Sequence, residues 1–412
     1  MQSSDSVSRG FWAVWVSHAL SMFGSMLVQF ALVWWIARTT DSATALSIAT
    51  LLVLLPGVLL GPVIGALVDR WDRRGIMLGA DGGMAAVTLF LVLLARADVL
   101  HLVPIYVALF LRSILETFHW SALQASIPLL VPERHLARIA GLNQALSGAL
   151  NMIAPPTGAL LLGLLPLQGV LLIDVLTAAL AMLTLGFVRI PRPRGSGPAR
   201  PLGWEEIREG VEFVWRWSGA LILMGMGALL NFLVNPAFAL LPLLVTRHFR
   251  GGALELGALE SAWGAGTISG GLLLGVWGGF RRRIHTTLAG LIGMGVAILS
   301  LGLLPPGAFP VALGAMFLGG LMNVLTNGPI LAILQAMVPP ALQGRVLMAI
   351  NSIIGLISPL GLVLAGPVAD ALGVRVWFVA GGLACALAGG ICLGIPAVVR
   401  IEEQAPARAA EP

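Results

Sequence analysis

Apolar runs of about 18 to 25 residues, the length that crosses a bilayer as a helix, follow one another along nearly the whole chain. Twelve are predicted, at about 11–37, 44–68, 75–95, 103–129, 140–165, 168–188, 219–246, 257–278, 286–304, 308–337, 346–369 and 376–398. The polar positions inside them form stripes. The first run carries Ser17, Ser21, Ser25 and Gln29 at i+4 steps, with His18 beside them. The fourth carries Arg112, Glu116 and His119, which a helical rotation of about 100° per residue sets within roughly 60° of one another. The seventh carries Asn231 and Asn235, and the tenth Asn323, Thr326 and Asn327. One run in three has such a stripe, which predicts four helices around a polar pathway. The competing reading is helix-to-helix hydrogen bonding, worth about 1 kcal/mol or less per contact.

The chain also repeats itself. Gly61, Gly65 and the basic turn Asp69-Arg70-Trp71-Asp72-Arg73-Arg74 recur 210 residues on as Gly271, Gly275 and Arg281-Arg282-Arg283. Phe110-Leu111 and Val131-Pro132 with Arg138 recur 207 residues on as Phe317-Leu318 and Val338-Pro339 with Arg345. On that offset Glu116 corresponds to Asn323. A duplicated apolar chain with polar groups at matching depth predicts an all-α membrane protein of twelve transmembrane helices in two pseudo-repeated six-helix lobes, the layout of a transporter. The expected divisions are a first lobe over 1–188, a cytoplasmic linker over 189–218, a second lobe over 219–398 and a tail over 399–412. Within the linker, Trp204, Ile207, Val211 and Val214 recur at helical spacing opposite Glu205, Arg208, Glu209 and Glu212, which predicts an amphipathic helix on the membrane surface.

Composition agrees: 58% of residues are hydrophobic, 10% are charged, and mean hydropathy is +0.94. All 24 basic residues are arginine. With the N-terminus inside, 18 of them fall in cytoplasmic segments and five outside, with Arg112 alone in a span. That split predicts a multi-pass protein of the plasma membrane with both termini cytoplasmic. It also assigns the basic pI to topology, so no nucleic-acid partner is expected. Without lysine there is no Walker A loop, and the signatures of membrane hydrolases are missing too. The chain reads as a non-enzyme driven by an ion or substrate gradient, with no cofactor and no metal. Cys385 and Cys392, seven apart on one apolar run, read as packing residues.

Ionisable groups within hydrocarbon are costly and face a cavity or a partner. Two readings of Glu116 stand: an ion pair with Arg112, four residues away, or a titrating carboxylate with a cation and His119 on its face. Asp174, in the sixth run, and Glu260, in the eighth, can bind protons, cap a helix or hold a gate. Gly57, Gly61 and Gly65 at i+4 spacing predict the close approach of a neighbouring helix. Asp69 can sit at a helix end or pair with an arginine across the lobes as a conformational lock.

From Gly61 to Arg74 the chain resembles the major facilitator superfamily, whose signature is a glycine-rich end to the second helix followed by Asp-Arg-x-x-Arg-Arg. Gly65, Asp69, Arg70, Arg73 and Arg74 match it, and Asp72 makes the loop similar to that of the drug:proton antiporter-3, macrolide-efflux-like group. Arg112 matches the family's membrane arginine. Pro156 and Gly158 resemble its antiporter motif, with Pro155 in place of a glycine. The resemblance implies the major facilitator fold and export of a hydrophobic, macrolide-like compound in exchange for protons by alternating access. The expected gate is Gly61, Gly65, Asp69, Arg70, Arg73, Arg74 and Arg281, Arg282, Arg283; the expected coupling groups are Arg112, Glu116, His119 and Asp174. The cavity is expected from Ser21, Ser25, Gln29, Phe118, Asn231, Asn235, Asn323 and Asn327, with Phe30, Trp34, Trp120, Phe232 and Phe238 nearby. The expected partners are a small hydrophobic substrate, protons and the lipid bilayer, with the chain acting as a monomer. The alternatives are export of a siderophore-like metabolite or a lysolipid and, from another class, a non-transporting membrane receptor or scaffold.

Overall fold

The computed structural model describes residues 9–188, 213, 215 and 217–403. The amphipathic part of the expected linker, through 212, and the tail beyond Glu403 lie outside the described residues. Twelve long helices run through the rest: α1 Arg9–Thr40, α2 Ala43–Val68, α3 Arg73–Arg96, α4 Leu102–Leu130, α5 Glu133–Leu164, α6 Leu167–Gly186, α7 Ser218–Ala239, α8 Ala253–Trp277, α9 Arg283–Leu303, α10 Phe309–Met337, α11 Pro340–Leu372 and α12 Arg375–Leu393. A short turn, Leu241–Leu243, and a π-helical turn, Leu244–Phe249, extend α7. No strand occurs among the described residues. Eleven of the helices are long and apolar enough to cross a membrane by length and composition. The exception is α8, whose apolar run is diluted by glycines and by Glu255 and Glu260.

Several helix starts follow from local chemistry. Asp72 caps α3, its carboxylate accepting the Gly75 N–H at 3.0 Å. Glu255 folds back to accept the Gly252 N–H at 2.7 Å at the start of α8. Proline stands in the first turn of α10 and α11, where its missing N–H is no loss.

The described residues form two compact units, 9–40 with 48–188, and 41–47 with 213, 215 and 217–403. In the first, α1 packs on α5 and α6, and α3 on α4 and α6. In the second, α7 packs on α11 and α12, and α9 on α10 and α12. These four pairings are the same with the helix number raised by six, while the packing of α8 on α10 in the second unit is not matched by α2 on α4 in the first. At the start of α2, Asp370 of α11 accepts the backbone N–H groups of Ala43 at 2.9 Å and Thr44 at 3.1 Å. A carboxylate thus sits on the positive end of that helix.

The closest helix approaches are not at the repeated glycines. A Cβ at Gly61, Gly65, Gly271 or Gly275 would meet nothing within 4 Å. The expectation of tight packing there is corrected, because among the described residues no neighbouring helix comes that close to these four positions. The second unit uses other glycines: a Cβ at Gly320 of α10 would lie 2.1 Å from the Trp263 carbonyl oxygen of α8, and one at Gly382 of α12 would lie 2.2 Å from the Leu299 nitrogen of α9. Helices without hydrophobic driving force between them gain by this backbone-to-backbone contact.

Candidate functional site

The first unit gathers its buried ionisable side chains between α1, α3, α4 and α6. Arg112 of α4 points to α6, its Nη1 2.6 Å from Asp174 Oδ2, with side-chain exposures of 8% and 3%. Thr88 of α3 donates to the same oxygen at 2.8 Å and accepts from Arg112, while Arg112 Nη2 donates to Ser25 of α1 at 3.0 Å. The approach of α1 depends on Gly24, where a Cβ would lie 2.1 Å from Thr177 Oγ1 and 3.0 Å from Asp174 Oδ1. Of the two readings of Glu116, the i to i+4 ion pair with Arg112 is absent among the described residues. Glu116 is exposed and makes no ion pair or hydrogen bond among the described residues. A buried cation needs a buried counter-charge, and the carboxylate that α6 supplies is Asp174.

A second cluster lies beside it. His119 of α4 has its Nε2 3.5 Å from Asp81 Oδ1 of α3, and Ser21 of α1 donates to that oxygen at 2.8 Å. His18 of α1 stacks on His119, with ring centroids 5.5 Å apart and planes 19° from parallel. Asp81 had no assigned role from sequence. The signal available was a lone carboxylate in the apolar run from Ile76 to Leu94.

The serine stripe of α1 thus faces its own unit: Ser17 donates to the Ala181 carbonyl at 2.8 Å, Ser21 to Asp81, and Ser25 accepts from Arg112. Gln29 alone of that stripe is exposed. Most of the aromatics expected along the pathway are packed instead. Phe30 and Trp34 are buried, Phe118 stacks on Trp71, Phe232 meets Trp377, and Phe238 meets Trp263 at 4.6 Å. Trp120 is 43% exposed. On α5, Pro155 and Pro156 lie within the helix, and a Cβ at Gly158 would lie 2.9 Å from the Phe30 ring, so this motif seats α5 on α1.

The basic loops fasten helix ends within each unit. Arg73 donates to the Ala125 carbonyl of α4 at 2.6 Å, and Arg74 to the Leu185 and Gly186 carbonyls that end α6. In the second unit Arg283 donates to the Ala332 carbonyl of α10 at 3.1 Å. Donor and acceptor are displaced by 210 and 207 residues, the two offsets of the sequence repeat. Asp69 is about half exposed, at 47%, with Arg73 4.0 Å away. Arg70 and Arg281 are exposed, and Arg282 pairs with Glu403 at 2.9 Å.

The polar stripes of the second unit on α7 and α10 are built from amides and hydroxyls. Asn235 donates to Asn231 at 2.9 Å and to Ser358 at 2.7 Å, and Asn327 donates to the Asn323 carbonyl at 3.0 Å. The positions 207 residues beyond Arg112, Glu116, His119 and Asp174 hold Gly319, Asn323, Thr326 and Gly381. Among the described residues the buried Asp, Arg and His side chains all lie in the first unit, while the second keeps a partly buried carboxylate, Glu260 of α8. Among the described residues no group of three or more His, Cys, Asp or Glu is arranged to hold a metal ion.

The pattern of this chain recurs in known proteins. The sequence profile of the Major Facilitator Superfamily matches residues 14–362. Macrolide efflux protein A of Streptococcus pyogenes is 35% identical over 373 residues, covering 90% of this chain and 92% of that protein. Multidrug efflux pump Tap of Mycobacterium tuberculosis is 26% identical over 400 residues, covering 92% and 91%. Among solved structures, the nucleoside transporter NupG superposes with a TM-score of 0.71 at 10% identity, covering 94% of this chain and 99% of that one. A bacterial homologue of the human lysosomal transporter Spinster gives 0.68 at 16%, covering 96% and 98%. With the repeated six-helix units, the arginine-fastened loops and the family match over most of its length, this multi-pass membrane protein belongs to the Major Facilitator Superfamily.

Proposed function

We propose that the protein exports hydrophobic, drug-like compounds of the macrolide kind across the plasma membrane, in exchange for protons and by alternating access. The observation that carries the cargo class is the 35% identity to Macrolide efflux protein A across nine-tenths of both chains. Identity of 26% to a multidrug efflux pump supports the wider class of drug-like cargo. The energy source follows from the residues. The chain has no lysine for a Walker A loop, so ATP hydrolysis is not its drive. The buried Asp and His side chains of the first unit are the chemistry that a proton gradient can act on. The arginine asymmetry supports an orientation with both termini cytoplasmic, and the basic loops then lie on the inner side.

Cells expressing the chain are expected to hold several-fold less radiolabelled macrolide than cells without it, and a protonophore should erase the difference. Equal accumulation would contradict export of this cargo. A difference that survives collapse of the proton gradient would leave export standing and remove proton coupling.

A further inference from the structure

The two buried clusters of the first unit differ in how fully their polar atoms are satisfied. Asp174 Oδ2 is held by Arg112 and Thr88, and Arg112 reaches Ser25 as well. A guanidinium keeps its proton, and protonating Asp174 would leave that cation buried without a counter-charge. The pair is neutral as it stands and gains nothing from another proton.

The His18, Asp81 and His119 cluster is the reverse case. These residues are 7%, 0% and 4% exposed. Asp81 Oδ2, His18 Nδ1 and His119 Nε2 are buried and have no hydrogen-bond partner among the described residues. A carboxylate with one bare oxygen in the interior is strongly unfavourable. A single proton relieves it, because an imidazolium at His119 is a counter-charge 3.5 Å from Asp81. A second proton is opposed, because it would place two cations in rings stacked 5.5 Å apart. The other ionisable groups facing the cluster from the packed helices are Arg112 and Glu116 of α4 and Asp174 of α6. Neither α2 nor the part of α5 beyond Arg138 carries any, and Ser17 and Ser21 of α1 offer only hydroxyls already engaged.

We propose that His18, Asp81 and His119 form a one-proton site, and that the proton exchanged for cargo binds there and not on the Arg112–Asp174 pair. The second half rests on the antiport reading above. Arg112 and Asp174 then hold α1, α3, α4 and α6 in register around the site, while the single proton comes and goes on His119 beside the Asp81 carboxylate.

The test uses full-length protein in lipid nanodiscs, titrated between about pH 8 and about pH 5, the range in which imidazoles exchange protons. Proton uptake is counted directly, and nitrogen-15 histidine spectra identify the imidazolium. Wild type is expected to take up one proton per chain more than Asp81→Asn, and the imidazolium signal of His119 should be lost in that variant. The amide keeps the shape of Asp81 and an oxygen for Ser21. Equal uptake by both proteins would overturn the site. His119→Gln should lose the same proton. If neither variant folds, the wild-type spectra decide, since His18 and His119 both neutral across the range would overturn the site. Macrolide-driven proton release is then measured in proteoliposomes of the same proteins. Release lost in Asp81→Asn supports the site as carrier, and release retained there overturns that role while antiport stands. No release even from wild type, with the one-proton titration intact, would remove antiport and leave the binding site in place.

Discussion

Arg112→Ala is expected to lower stability by about 3–5 kcal/mol and to abolish transport, because it leaves Asp174 in the interior without its counter-charge, held only by Thr88. The loss should exceed that of Glu116→Gln, which removes a charge from an exposed position with no ion pair among the described residues. Arg112→Lys should not rescue it. An ammonium on a shorter, rounder head cannot reach Asp174, Thr88 and Ser25 together, as the planar guanidinium does. Arg112→Met combined with Asp174→Leu should recover most of the stability, since a buried ion pair is often replaced by apolar residues at little cost. Thermal unfolding in detergent checks all four proteins. An Arg112→Ala protein as stable as wild type would contradict the buried pair.

The second large effect is steric. Gly320→Leu places its Cβ 2.1 Å from the Trp263 carbonyl oxygen and 3.0 Å from the Thr267 nitrogen, both backbone atoms of α8. No rotamer relieves a clash at Cβ, so α8 and α10 must separate. The penalty should exceed the roughly 1–3 kcal/mol typical of an over-packed core. The variant is expected to lose its monodisperse elution peak. Gly61→Ala, by contrast, meets open space and should stay within about 0.5 kcal/mol of wild type. A stable Gly320→Leu protein would show that the two helices are not in backbone contact.

These contrasts show where sequence reasoning reached and where it stopped. Span lengths and the 207- and 210-residue repeats survive as matched contacts, Arg73 on Ala125 and Arg283 on Ala332. Each of those carbonyls lies five residues before its helix end, and a guanidinium from the basic turn reaches it as a second donor. The partner of Arg112 was hidden because neighbours on one helix are visible as i to i+4 spacing. Asp174 is 62 residues away on another helix, and only packing brings it close. The serine stripe of α1 was legible as a stripe, but its direction toward α3, α4 and α6 was not. Periodicity defines a face without saying what the face meets. For the same reason the repeated glycines looked like packing sites, while the glycines in backbone contact, Gly320 and Gly382, belong to no repeat that spacing reveals.

Proton release from purified protein in sealed liposomes, on addition of a macrolide across an imposed pH gradient, tests the central claim most directly. Cargo-dependent release by wild type, absent from protein-free liposomes, is the result predicted for a proton-coupled drug exporter. Macrolide movement that proceeds with no proton release, or that is indifferent to the gradient, would contradict it.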